Sequence, residues 1–271
     1  MKGLDDLSSA RSTVDRSEEA GAVAITYYTD PLCCWSWALE PHWRRLRYTF
    51  RDQITWHYRM GGLIADWASF SDPLQAIVRP AQMGPLWMQA CELSAMPMCD
   101  TIWVDDPPAT SYAACLAVKA AECQSGLAGE RYLRRLREAV MVDGRNIARW
   151  ETLLEVARQL DHDMPETFSV ESFEKELHAK EATQAFRDDL SEARYRNITR
   201  FPTLIFRKRT GEGLMIVGFR PYEAMESVLL QLAPDLRPDR VPPTTDAYSS
   251  FWGGTVEPEL AWLTDRHEGK E

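Results

Sequence analysis

Asp30-Pro31-Leu32-Cys33-Cys34-Trp35-Ser36-Trp37 follows directly on an apolar run, Val23-Ala24-Ile25-Thr26-Tyr27-Tyr28. The run is β-branched or aromatic in part, so residues 22–29 read as a buried strand. Beyond it, Trp35, Leu39, Trp43, Leu46 and Phe50 recur every three or four residues, which is a helical stripe. Pro41 lies inside that stripe and is expected to kink it or to mark a register change. A strand therefore hands a cysteine to the point where a helix begins. Unpaired N–H groups and the positive end of the helix dipole favour a thiolate there, so Cys33 is expected to be the reactive thiol. A Cys-x-x-Cys pair would need a second cysteine at position 36, and that position holds Ser36.

Working outward, Ile54 to Met60 reads as a second strand halted by Gly61-Gly62, which gives a β-α-β unit with a right-handed parallel crossover. Residues 72–98 are expected to hold short helices broken by Pro80, Pro85 and Pro97. Helical stripes follow from Ser111 to about Ser125, through Leu133, Leu136 and Val140, through Trp150 to Leu160, and at Phe173/Leu177 and Phe186/Leu190. Strand character returns in Thr203-Leu204-Ile205-Phe206 and Leu214-Met215-Ile216-Val217, with a charged glycine turn between them that predicts a hairpin. Pro221 suits the first position of a helix running from Tyr222 to Leu232. The resulting plan is a loose leader over 1–21, a sheet domain from 22–69 and 196–232, and a helical insertion over 70–195. A proline-rich linker and short tail occupy 233–271, with Tyr248, Phe251, Trp252, Leu260, Trp262 and Leu263 expected to dock on the body.

Composition narrows the function classes. The chain has 271 residues, 45% hydrophobic and 27% charged, which is ordinary for a globular protein large enough to bury a full core. No apolar stretch approaches the roughly 18 residues of a membrane span. The acidic start lacks the apolar core of a secretory signal, so cytoplasmic residence is expected, and with it reduced thiols. A formal charge of −10 argues against a general nucleic-acid binder. Arg44-Arg45 and Arg134-Arg135 read as solvated helix faces. Cys91, Cys99, Cys115 and Cys123 lack metal-ligand spacing and read as small buried apolar residues, so no metal site is expected.

The order β-α-β, helical insertion, β-β-α is that of an α/β thioredoxin-like fold interrupted at its middle. Four motifs in that order, Tyr28-Thr29-Asp30-Pro31-Leu32-Cys33-Cys34-Trp35-Ser36-Trp37, Arg59-Met60-Gly61-Gly62, Arg200-Phe201-Pro202-Thr203-Leu204 and Val217-Gly218-Phe219-Arg220-Pro221-Tyr222, resemble the DsbA-like thiol oxidoreductase family. Its FrnE and YjbH-like branch is the most similar, and kappa-class glutathione transferases and hydroxychromene carboxylate isomerases are related.

The resemblance implies that Cys33 is a nucleophile that attacks a disulfide, and that Phe201-Pro202 is a cis-proline loop offering a backbone edge to an extended peptide. With Ser36 in the resolving position, release would need an outside thiol such as glutathione, with Ser36 supporting the Cys33 thiolate and Asp30 opposing it. Resolution by Cys34, Cys91 or Cys99 is the alternative. Substrate contact is assigned to Cys34, Trp35, Arg200, Phe201 and Pro202, and Trp37 to the core. Arg59 and Arg200 read as ion-pair residues before carboxylate clamps, and His57 and His42 as packed histidines before bases for Cys33. No tightly bound cofactor is implied. Three functions remain open: a single-thiol oxidoreductase or isomerase acting on a protein or peptide disulfide, a partner-binding adaptor on the same fold, and a glutathione-dependent transferase or isomerase.

Overall fold

The computed structural model describes residues 21–239 and 241–264. The leader expected over 1–21 lies, apart from Gly21, outside the described residues. The sheet has four strands: β1 (Val23–Thr29), β2 (Ile54–Met60), β3 (Thr203–Lys208) and β4 (Gly213–Val217), in the order β2-β1-β3-β4. β1 pairs parallel with β2 and antiparallel with β3, and β3 pairs antiparallel with β4. β1 is thus interior to the sheet, which explains its nearly continuous apolar sequence. Helix α1 (Cys34–Thr49) makes the crossover between β1 and β2. It runs unbroken through Pro41.

Between β2 and β3 stand α2 (Met83–Ser94), α3 (Ile102–Asp105), α4 (Tyr112–Glu122), α5 (Gly126–Met141), α6 (Trp150–Asp163), α7 (Val170–Leu177) and α8 (Lys180–Tyr195). Ser125 and Ser169 cap α5 and α7, each accepting a backbone N–H three residues on. Residues 72–98 differ from the expected set of short broken helices. A 3-10 turn at Pro80–Gln82 leads into one twelve-residue helix, α2, which contains Pro85. Pro85 is the third residue of that helix, where its missing N–H would have no intrahelical acceptor anyway. Pro221 is also shifted by one: it is the N-cap of α9 (Tyr222–Leu232) instead of its first residue.

A single apolar cluster joins Ile25, Trp37, Trp43 and Leu204 to Trp87, Leu136 and Phe173, so sheet and insertion share a core. Beyond α9, α10 (Thr245–Trp252), a 3-10 turn at Glu257–Glu259 and α11 (Ala261–Thr264) form the tail. Tyr248 and Trp252 are buried, and Tyr48 of α1 meets Tyr248 edge-on at 5.3 Å. The tail therefore seats on α1, as its aromatic residues imply.

Charge holds the tail as well. Glu259, with no exposed surface, accepts from Arg134 Nη1 at 3.0 Å and Nη2 at 2.8 Å and lies 3.1 Å from Arg44 Nη1. Arg44 and Arg134 are not on solvated helix faces as their sequence context implies; both are buried in this network. Glu40 extends it, pairing with Arg44 at 3.2 Å and Arg137 at 2.8 Å. Burial works to raise the Glu40 carboxyl, but Arg137 and then Arg44 hold it below the usual range.

Candidate functional site

β1 ends at Thr29, a turn follows, and Cys33 is the N-cap of α1 with φ −79° and ψ 105°. The N–H groups of Ser36 and Trp37 both donate to the Cys33 carbonyl at 3.1 Å, which closes the first turn of the helix. Opposite stands the Phe201–Pro202 peptide bond, which is cis. Cys33 Sγ lies 3.5 Å from the Phe201 carbonyl oxygen and donates to it. The loop is pinned by Gly218, whose N–H donates to the Pro202 carbonyl at 2.8 Å and whose φ of +77° suits only a glycine well. Phe201 lies tight over Gly61: a Cβ there would sit 1.9 Å from the ring. Trp35, half-buried, faces Phe219 at 6.4 Å between ring centroids, and His42 meets the same ring at 5.5 Å. Cys33, Trp35, Phe201 and Pro202 are thus brought together.

Arg200 is exposed, and its side chain has no carboxylate partner among the described residues. Its carbonyl accepts from Thr203 Oγ1 at 2.7 Å. Arg59 makes the structural ion pairs expected of it, to Glu192 at 2.8 Å and Asp189 at 3.3 Å. His57 stands across the ladder from Thr26, with Nε2 3.0 Å from its Oγ1. Burial, with Arg59 adding to it, lowers His57 to about 4.

Three sequence expectations need correction. Cys34 is only 2% exposed and packs in the main core, so it presents nothing to a substrate. The first helical residue points inward because the helix starts one position earlier than its apolar stripe suggests. Cys91 and Cys99 are half-buried and Cys123 is exposed; only Cys115 of that group is fully buried. Finally, the environment of Cys33 does not favour the thiolate. Burial pushes its thiol up; the Ser36 hydroxyl and N–H pull it down; the Asp30 carboxylate pushes it up and Arg137 pulls it down. Burial prevails because Cys33 retains only 5% of its surface. Ser36 Oγ, fully buried, meets hydrogen-bond geometry with no partner, so its influence on the sulfur is one of proximity.

Asp30 opposes the Cys33 thiolate as its place in the sequence implies, but its partners, and the part played by Arg137, are not visible in the sequence. Asp30 is fully buried and accepts from Leu32 N–H at 2.8 Å, Leu63 N–H at 2.6 Å, Ser111 Oγ at 2.7 Å and Cys115 Sγ at 3.3 Å. It ties the loop after β1 to the loop after β2 and to α4. Burial raises its carboxyl and these donors offset the rise in part. Arg137, also buried, reaches from α5 to Thr29 Oγ1 at 2.5 Å and to Glu40. Its helical spacing marks it only as one more arginine of α5; the partners lie about a hundred residues away in sequence. Among the described residues no cluster of His, Cys, Asp and Glu is arranged to hold a metal.

A helix-capping thiol facing a cis-proline loop, on a four-stranded mixed sheet split by a helical insertion, defines a thioredoxin-fold chain of DsbA-like architecture. Residues 27–227 match the family described as Thioredoxin, and the chain belongs to that family. The ClpXP adapter protein SpxH of Halalkalibacterium halodurans is 27% identical over 241 residues, covering 88% of this chain and 76% of that protein. A putative protein disulfide isomerase from Nitrosomonas europaea superposes with a TM-score of 0.63 at 19% identity, over 77% of this chain and 96% of its own. The cytosolic disulfide reductase DsbM from Pseudomonas aeruginosa gives 0.56 at 20% identity, over 85% and 97%. At such identities the two solved structures establish the fold alone. Among the described residues no helix is long and apolar enough to cross a membrane.

Proposed function

We propose that this chain is an adaptor of the cytoplasm that holds a partner polypeptide against the face formed by Trp35, Phe219 and Phe201, with Pro202 buried beneath it, and that Cys33 supports this face without turning over disulfides. One observation carries the reading. The Cys33 thiol is buried and donates its proton to the Phe201 carbonyl, the arrangement of a resting thiol instead of a poised thiolate. Ser36 removes the Cys-x-x-Cys route by which a mixed disulfide would resolve. The likeness to a ClpXP adapter protein supports the same direction and suggests a role in delivering the partner to a protease.

The test is protein turnover in the host. Removing the chain is to lengthen the half-life of at least one protein several-fold. Cys33→Ala is to restore its turnover, whereas Trp35→Ala combined with Phe201→Ala is not. Restoration by the aromatic double variant but not by Cys33→Ala would overturn the proposal.

A second reading has its own support. The sulfur lies against a cis-proline loop and beside a serine hydroxyl, so exchange through Cys33 with glutathione as the releasing thiol is the competing function. It requires Cys33-dependent disulfide reduction.

A further inference from the structure

Between Ala193 and Pro221 the chain carries seven basic residues, Arg194, Arg196, Arg200, Arg207, Lys208, Arg209 and Arg220, against Glu212 alone. The formal charge of the whole chain is −10, so this segment is opposite in sign to the chain as a whole. Arg196 pairs with Glu192 and Lys208 with Glu212. Arg194, Arg200, Arg207 and Arg220 are exposed and have no carboxylate partner among the described residues.

The same region leaves a sheet face half covered. In the antiparallel register Thr203 stands opposite Val217, Ile205 opposite Met215 and Arg207 opposite Gly213, so these side chains share one face. Over β1 that face is closed by α8: Tyr28 packs with Ala193 and Ile198, and its hydroxyl donates to Glu192 at 2.7 Å. Over β4 it stays open, with Met215 56% and Val217 39% exposed and Tyr195 of α8 89% exposed. β4 is also the last strand of the sheet, with β3 as its sole neighbour among the described strands. Phe201 and Ile205 pack in one cluster, so this open face continues into the cis-proline loop.

We infer that the open β3–β4 face, with Arg207 on it and exposed arginines in the segments that flank its strands, binds an acidic, extended polypeptide segment that adds along the β4 edge and sets aliphatic side chains over Ile205, Met215 and Val217. An exposed strand edge supplies main-chain hydrogen bonds, alternate side chains fall on the apolar face, and the arginines select against basic segments. This deepens the adaptor reading and rests on it, because it names the chemistry of the partner held beside Phe201.

The test uses the full chain and two synthetic ten-residue probes, a Glu/Val peptide in which pairs of each residue alternate, so that both kinds of side chain reach the open face, and its Lys/Val counterpart, followed by fluorescence anisotropy. The Glu/Val peptide is to bind and the Lys/Val peptide is not. Combined Arg200→Glu and Arg207→Glu is to weaken binding by about tenfold or more. Both positions are exposed, so the fold should survive, and an unchanged thermal transition checks it. Met215→Gln, which keeps the length and the charge of the side chain but not its apolar character, is to weaken the Glu/Val peptide as well, and this separates an apolar seat from simple charge attraction.

Equal binding of both peptides, or of neither, would overturn the inference. So would a duplex DNA oligonucleotide that binds with the same sensitivity to charge reversal and none to Met215→Gln, since the patch would then serve phosphates. In the host, a client whose turnover depends on the chain but is indifferent to the two reversals sinks this inference and leaves the adaptor reading standing. A host in which no protein depends on the chain sinks the adaptor reading itself.

Discussion

Replacing Gly61 by alanine probes the contact that shapes the site. A Cβ at that position would lie 1.9, 2.3 and 2.6 Å from three atoms of the Phe201 ring. Carbon atoms in contact settle near 3.5–4.0 Å, so the ring must retreat by roughly 1.5–2 Å. It has little room, being packed with Tyr28, Ala193, Ile198 and Ile205. Forced overpacking of this kind costs about 1–3 kcal/mol. Movement of the ring also draws the Phe201 carbonyl from Cys33 Sγ, which frees the thiol proton and opens the sulfur to reagents.

Two readouts follow for Gly61→Ala: a lower midpoint in urea, and alkylation of Cys33 by iodoacetamide several-fold faster than in the parent. Gly61→Ala combined with Phe201→Ala is to lose less than the sum of the single changes, with a coupling of about 1–2 kcal/mol, because the second substitution removes the atoms that clash. A Gly61→Ala protein as stable as the parent, with Cys33 equally slow to alkylate, would refute the claim that this glycine exists to admit the Phe201 ring.

Other expectations concern charge and redox chemistry. Glu259→Gln leaves Arg44 and Arg134 with less negative charge in a buried site, and is to cost about 3 kcal/mol in urea unfolding. At this chain length that corresponds to a fall of roughly 6–12 °C in the thermal midpoint. His57 titrates at about 4 in the folded chain. Since the unfolded histidine takes up its proton near pH 6.5, stability is unaffected above that pH and declines as pH falls from about 6.5 toward 4. Between about pH 7.5 and 4.5 the parent is therefore to lose on the order of 2 kcal/mol more than His57→Gln; equal losses would reject the assignment. Ser36→Cys is to let mild oxidant close a disulfide with Cys33, detectable as two thiols lost on alkylation mapping. Failure to close would show that position 36 does not face the sulfur.

The octapeptide around Cys33 and the two hairpin runs carry enough period and turn chemistry to specify the thioredoxin plan before any coordinates. β1 is the clearest case: a strand interior to the sheet is largely buried and reads as a nearly continuous apolar run, interrupted by Thr26. Ser36 and Asp30 were legible as residues that tune Cys33, but what holds Asp30 in place was hidden for the opposite reason. Asp30 is three positions from Cys33, yet its donors come from Leu63, Ser111 and Cys115, and no local pattern announces such a meeting. Arg44 and Arg134 look like ordinary arginines on polar faces. They become core residues only because the tail returns to cover them with Glu259. The thiolate expectation met the same obstacle: the start of a helix is visible in sequence, but the burial that pushes the Cys33 thiol up is set by chain folded over it from elsewhere.

The central claim is that Cys33 belongs to a holding face and not to a redox cycle. Glutathione-coupled reduction of insulin disulfides by the purified protein addresses it most directly. The parent and Cys33→Ser are predicted to proceed at the same background rate. A rate in the parent that rises with protein concentration and disappears in Cys33→Ser would contradict the account and restore the single-thiol enzyme.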